Sequence, residues 1–271
     1  MANRRKTNSG ISLGLITAIA VFAITAAAVA QTPEERGFEI AERNDVSDAG
    51  FGTSSVELTM TLADPSGRTT TRELRIDTLE KEGEGNGDRT VTVFYSPRDV
   101  EGTALLTHSR VIESDDQWLF LPALNRTRRI SSANKSGPFV GSEFAFEDIA
   151  GAELGKYEYT YLETRNVDGV EMDVVECIPA YERSGYSSIN CFFDTEVFQA
   201  RRFEFFDQGG QHLKTLVLED YREYEGGFWR PHRQTMTNHI TGKQTVLEFG
   251  EWTFGVDLDS RDFEPEALER L

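Results

Sequence analysis

The sequence predicts a mainly β domain, an antiparallel sandwich or barrel, and three observations carry that reading. Beyond the first fifty residues, apolar and polar side chains alternate with a period of two, as strands with one buried and one wet face require. The alternating runs, roughly ten to twelve of them, are joined by short turns rich in Gly, Asp, Asn and Pro. No internal repeat and no Pro- or Ser-rich linker interrupts them, so one domain accounts for the chain.

The first thirty residues stand apart. Arg4, Arg5 and Lys6 precede an uncharged apolar run, Ile11 to Ala30, which ends in Ala28-Val29-Ala30 just before Gln31. A basic head, an apolar middle and a small-x-small end mark a cleaved secretory signal peptide. The run is also long enough for an uncleaved anchor. Cleavage makes residues 31–271 the mature domain of an exported protein. Gly10-Ile11-Ser12-Leu13-Gly14 matches G-x-S-x-G but lacks the strand-turn-helix setting of a nucleophile elbow.

Thr32-Pro33-Glu34-Glu35 opens a helix. Thr is the cap, Pro takes the first helical position, and Glu35 completes a capping box. The helix is expected to reach about Asn44, with Phe38 and Ala41 on one face. Val56, Leu58, Met60 and Leu62 then alternate with Glu57, Thr59 and Thr61. Asp64 to Gly67 turns the chain, and Leu74 and Ile76 mark the return. Gly83 to Asp88 reads as a polar loop, followed by Val91, Val93 and Tyr95. Thr103 to Ile112 is a strand pair or one bent strand, and Trp118 to Leu121 follows.

The second half keeps the rhythm. Tyr157, Tyr159 and Tyr161 share a face, then Val170, Met172 and Val174. Further strands are Ser188–Phe193, Phe198–Phe206, Leu213–Tyr224, Phe228–Ile240 and Val246–Trp252. Pro231 inside its run predicts an edge strand or a bulge. The acidic tail, Asp262 to Leu271, is expected to form a short helix. A sheet this long needs a cover, and only the N-terminal helix and Phe139–Leu154 can supply one.

The chain carries a net charge of -18, and its first thirty residues hold three basic and no acidic side chains, so residues 31–271 carry -21. Nucleic acid and anionic membrane surfaces repel such a domain, and any partner should be neutral or basic. Four histidines show no metal-ligand spacing, and no cofactor or catalytic motif is present. The sequence therefore gives no ground for an enzyme, a metal or a cofactor. Cys177 and Cys191 lie in separate strand-like runs with Gly185 between them, and could staple neighbouring antiparallel strands in an exported protein.

One stretch is unusual: "DQWLFLPALNRTRRISSANKSGPFVGSEFAFEDI", Asp116 to Ile149. An apolar strand becomes a basic run, Arg126, Arg128, Arg129 and Lys135, and ends aromatic and acidic. Trp118 and Phe120 share one strand face, Leu119 and Leu121 the other. Trp118 to Leu124, Arg128-Arg129-Ile130 and Phe139 to Ile149 closely resemble the signature of the LolA-like outer-membrane lipoprotein-sorting proteins of Gram-negative bacteria. Pro97 to Thr103 resembles a second block of that family, and the resemblance covers nearly all of residues 31–271.

The resemblance implies an incomplete antiparallel β-barrel with a helical lid, carrying lipid-modified protein or other lipid-like cargo across the periplasm. It also implies an alternative: an accessory subunit of an RND-type inner-membrane exporter that carries no lipid itself. In the carrier reading, Trp118, Phe120, Phe139, Phe144 and Phe146 form the cargo cavity and lid, with Gly137 and Gly141 as hinges. Arg126, Arg128, Arg129 and Lys135 sit at the rim and meet a headgroup or an acidic partner. In the plainer reading, the arginines pair with Glu143, Glu147 and Asp148 and the phenylalanines are ordinary core. Truncating Phe144 and Phe146 to Ala is expected to weaken uptake of a fatty-acid probe. The cysteine pair departs from the family pattern.

Overall fold

The computed structural model describes Met1 and residues 30–80, 86–149, 151 and 153–270. The signal-peptide segment and the first half of the polar loop lie outside the described residues. Gln31–Leu271 forms one compact unit.

The helix α1, Pro33–Asp48, begins as the sequence predicts. The Thr32 hydroxyl accepts from the Glu35 N–H, and the Glu35 carboxylate accepts from the Thr32 N–H. It runs one turn past Asn44, because its last turns are seated: Asn44 donates to the Phe198 carbonyl and Asp48 pairs with Arg230. Phe38 and Ala41, expected on one face, differ in burial. Gly37, Ile40 and Ala41 are buried, whereas Phe38 is 46% exposed and only edges against Tyr159.

Among the described residues, fourteen strands form one antiparallel sheet. They are β1 (Thr53–Ala63), β2 (Thr69–Leu79), β3 (Asn86–Ser96), β4 (Ala104–Arg110), β5 (Asp116–Leu121), β6 (Arg126–Arg129) and β7 (Tyr157–Val167). Then come β8 (Val170–Pro179), β9 (Tyr186–Asp194), β10 (Ala200–Asp207), β11 (His212–Glu223), β12 (Trp229–Asn238), β13 (Gln244–Phe249) and β14 (Thr253–Phe254). The count exceeds the expected one because β6 and β14 are too short to show a period. The described part of the predicted Gly83–Asp88 loop, 86–88, belongs to β3, and Thr103–Ile112 holds a single strand, β4.

The strand order is β6-β5-β4-β3-β2-β1-β13-β12-β11-β10-β9-β8-β7, with β14 beside β1. The two ends of the sheet, β6 and β7, are consecutive in the chain but are not paired. Side chains from β1 to β4 and from β8 to β13 nevertheless meet in one core cluster. The sheet therefore curls around that core and stops short of closure: an incomplete barrel. β12 lies inside the sheet, which corrects the edge expected from Pro231. Pro231 sits beyond Arg233, the last β12 residue paired to β13, so its missing N–H costs no β13 bond there.

Two pieces cover the concave side. Helix α1 packs on β7, with Gly37 against the Thr160–Tyr161 backbone. The 27-residue run 130–156, which joins β6 to β7, folds inward as four 3-10 turns: Ser132–Asn134, Phe139–Gly141, Phe146–Asp148 and Leu154–Lys156. On the outer side, where the sequence predicts a short tail helix, the chain makes two 3-10 turns, Ser260–Phe263 and Pro265–Ala267, which lie over β3, β4 and β5.

Candidate functional site: a plugged concave face

The concave face follows from strand parity. Leu58, Met60 and Leu62 of β1, Leu74 and Ile76 of β2, and Leu216 and Leu218 of β11 all turn toward one cluster. Phe139, Phe144 and Phe146 enter that cluster from the inserted run and are at most 9% exposed. Phe139 packs between Phe94, tilted against it, and Phe146, edge-on, with each ring centre 5.7 Å away. The three rings fill the space a cargo would need. A cavity of about 200 Å³ lies on the outer side against Val91, Leu258 and Phe263. A second, about 10 Å³, lies among Ser114, Lys135, Glu147 and Tyr181. Ligand pockets commonly run to about 300–1,000 Å³. The inserted run is thus a plug in its seat.

Polar groups fasten the plug from several strands. Gln117 of β5 donates to the Phe146 carbonyl at 2.8 Å. Arg72 of β2 donates to the Val140 carbonyl. Thr245 of β13 accepts from the Glu143 N–H, and Asn238 of β12 donates to the Glu143 carboxylate. Lys214 of β11 reaches Asp148 at 2.5 Å, and the Tyr186 hydroxyl donates to the other Asp148 oxygen. Glu147 accepts from Tyr181, Ser184 and the Gly185 N–H. Burial pushes the Glu147 carboxyl above its ordinary range despite those three donors. Val140 and Gly141 both have positive φ, 46° and 77°. For a β-branched valine that is strained backbone, held at the tip of the plug.

The base of the plug holds a second buried pair. Lys156 meets Asp115 at 2.6 Å, with 3% and 9% of the side chains exposed. Lys135 donates to Ser114 and to the Asp115 carbonyl. Burial draws the Lys135 ammonium below its ordinary pKa.

The predicted site residues separate accordingly. Phe139, Phe144 and Phe146 come together inside. Trp118 and Phe120 do not join them, and their assignment to the cavity is corrected. They face outward and pack with Val91, Ala104 and Leu106 under Phe263 and Leu268. Leu119 is the residue of that strand that faces the core. Lys135 is 7% exposed and is no rim residue. Arg126, Arg128 and Arg129 are exposed on β6. Arg129 pairs with Asp116 and lies over Trp118. Among the described residues none of the three meets Glu143, Glu147 or Asp148; the nearby carboxylate that is met is Asp116, by Arg129.

Cys177 and Cys191 occupy neighbouring strands β8 and β9, both buried, as thiols 2.8 Å apart. Burial pushes the Cys177 thiol well up. Among the described residues, no group of three or more His, Cys, Asp or Glu could hold a metal ion. No helix there is long and apolar enough to cross a membrane.

Sequence reasoning missed Arg72, Lys214 and Gln117. The signal was present. Arg72 keeps parity with Leu74 and Ile76, Lys214 with Leu216 and Leu218, and Gln117 with Leu119. A charged or amide side chain on the apolar face of a strand has to find a buried partner.

An unclosed antiparallel barrel whose apolar concave face is covered by a helix and an inserted run is the half-barrel class of protein. A family model described as an uncharacterized protein matches residues 86–270. A domain described as an outer membrane lipoprotein-sorting protein, from Vibrio parahaemolyticus, is 43% identical. The match has a TM-score of 0.84 and covers 88% of this chain and 100% of that one. A DUF1329 family protein from Desulfovibrio piger is 26% identical, with a TM-score of 0.83 over 88% of this chain and 99% of that one. A LolA superfamily protein from Nitrosomonas europaea shares the fold at 23% identity, with a TM-score of 0.67 over 84% and 97% of the two chains. Among curated proteins nothing matches. The chain belongs to the outer membrane lipoprotein-sorting protein family.

Proposed function

We propose that the protein is a periplasmic, non-catalytic carrier that shelters lipoprotein acyl chains, or another lipid-like cargo, on its concave face for transfer toward the outer membrane. One observation carries this reading. Among the described residues, the sheet stops between β6 and β7, and a helix and a plug that belong to no strand pair cover the concave side. Cargo takes the place of the Phe139, Phe144 and Phe146 rings when the plug leaves. Enclosure matters because each exposed CH₂ costs about 0.8 kcal/mol. A cleaved signal peptide delivers the domain to the periplasm.

Native mass spectrometry with solvent extraction, on protein purified from the periplasm without detergent, tests the proposal. A bound lipid or lipopeptide of definite mass is the expected result. An empty protein that also fails to take up a fatty-acid probe overturns it. The filled interior favours a second reading, an accessory subunit of an RND-type exporter in which the plug never leaves. Co-purification with an inner-membrane protein and no lipid is its signature.

A further inference from the structure

The two ends of the sheet are finished differently. The β7 end is covered by α1, whose Gly37 lies so close that a Cβ there would come within 2.7 Å of the Tyr161 nitrogen. Among the described residues, β6 ends the strand order and no further strand pairs with its outer edge. The register shows what β6 offers. The Ile130 N–H donates to the Gln117 carbonyl, and Arg128 and Arg126 lie opposite Leu119 and Leu121. Antiparallel alternation then turns the backbone of Arg126 and Arg128 toward β5 and that of Thr127 and Arg129 outward. The outward N–H and C=O groups of these two residues are a template for another strand.

The side chains narrow the choice of strand. Arg129 is engaged by Asp116, and Thr127 by Glu269. Arg126 and Arg128 have no hydrogen-bond or ion-pair partner among the described residues, and both share the face of Leu119, which packs on the core. Two unpartnered guanidinium groups, two residues apart, thus stand at the rim of the opening on a chain of net charge -18. A second copy pairing through β6 would set arginine against arginine, which repels.

We infer that β6 is a docking edge for an extended, acidic strand of a partner protein. The partner's backbone pairs with Thr127 and Arg129, and carboxylates at alternate positions meet Arg126 and Arg128. This supplies a partner for the carrier reading and rests on that reading only for its purpose. Docking there would place the partner beside the opening through which cargo passes.

The experiment uses the full mature chain and the synthetic peptide Thr-Glu-Val-Glu-Val-Glu-Thr, with its Lys-for-Glu counterpart as control. Binding is read by fluorescence anisotropy and amide protection by NMR. The acidic peptide should bind and protect the Thr127 and Arg129 amides, and the Lys peptide should not. Arg126→Glu with Arg128→Glu should weaken binding by about tenfold or more. Thr127→Pro should abolish it at unchanged melting temperature, because that N–H points away from β5. Should Thr127→Pro fail to fold, the arginine pair alone decides. Absence of binding overturns the inference. So does binding without amide protection, which would be simple ion pairing. Fatty-acid uptake is measured on the same samples. Its absence from every sample, wild type included, counts against the carrier reading and leaves the strand test standing.

Discussion

Replacing Lys214 with Met asks whether charge fastens the plug. Lys214 Nζ lies 2.5 Å from Asp148 Oδ2, with side-chain exposures of 5% and 4%. Met keeps most of the stem volume and removes the ammonium. Asp148 then stays buried with the Tyr186 hydroxyl and the Ala145 N–H as its remaining donors. Breaking one side of a buried pair costs about 3–5 kcal/mol. Plug opening solvates Asp148, so the whole cost falls on the closed state. At 1.4 kcal/mol per factor of ten, opening becomes more populated by about 10²–10⁴-fold. Native-state hydrogen exchange reads this directly. The Phe139, Ser142, Phe146 and Glu147 amides all donate within the plug, to the Phe144, Phe139, Gly137 and Lys135 carbonyls. Their protection should fall by that factor, while amides in β11 and β12 lose less. Lys214→Met with Asp148→Asn should recover most of the loss, because no charge is then left buried. Unchanged plug protection in Lys214→Met would refute the reasoning. So would an equal loss across plug and sheet, which would make the plug part of one cooperative unit.

Gly37→Ala places a Cβ 2.7 Å from the Tyr161 nitrogen and 3.0 Å from Thr160 backbone atoms, and neither can retreat without disturbing β7. The cost should be about 1–3 kcal/mol, seen as a lower melting temperature by circular dichroism; an unchanged midpoint would mean that the helix is not seated there. His108 holds the Phe263 carbonyl at 2.7 Å, and burial, foremost, keeps its pKa below the ordinary 6.5. The folded state therefore favours neutral His108. Its contribution is present above pH 6.5 and is lost as pH falls through the depressed value. Urea unfolding across that window should show the slope, and His108→Leu should flatten it. For Cys177 and Cys191 we expect oxidation to a disulfide in the periplasm. The intact mass should be two hydrogens below that of the reduced chain; a full-thiol mass under non-reducing conditions would exclude the bond.

The long strands were legible in the sequence because half of each faces water and half does not. β5 was not fully legible. Parity put Trp118 and Phe120 opposite Leu119 and Leu121, but both faces of this strand are covered. The C-terminal 3-10 turns bury the outer one, so apolarity could not say which face lines the core. β6 and β14 escaped because four and two residues cannot display a period. Lys135 looked like one more surface cation in a basic run. Its partners, Ser114 and the Asp115 carbonyl, lie about twenty residues earlier, and only the folded chain brings them together. The acidic end of the signature was read as a set of partners for arginines. It is instead a set of acceptors, each served by a different strand or loop of the barrel.

On the proposed carrier reading, the filled interior predicts the opposite of the effect expected from the sequence for truncating Phe144 and Phe146, and chain length would then decide which cargo enters. Exposing one phenylalanine costs about 1.5–3 kcal/mol. Expelling all three rings therefore costs roughly 5–9 kcal/mol before any polar fastening is broken. An acyl chain entering in their place recovers about 0.8 kcal/mol per CH₂. The exchange turns favourable only beyond roughly six to eleven carbons, and a chain of about sixteen has a clear surplus. Phe144→Ala with Phe146→Ala lowers the cost of expulsion by roughly 3–6 kcal/mol, equivalent to about four to seven CH₂ groups. The double variant should then bind a given chain more tightly, and bind a ten-carbon chain about as well as the wild type binds roughly fourteen to seventeen carbons. A competition series of saturated fatty acids against a fluorescent fatty acid, run on both proteins, measures this. If the variant binds every chain length equally well or more weakly, the rings are a wall that cargo touches rather than a plug that cargo replaces.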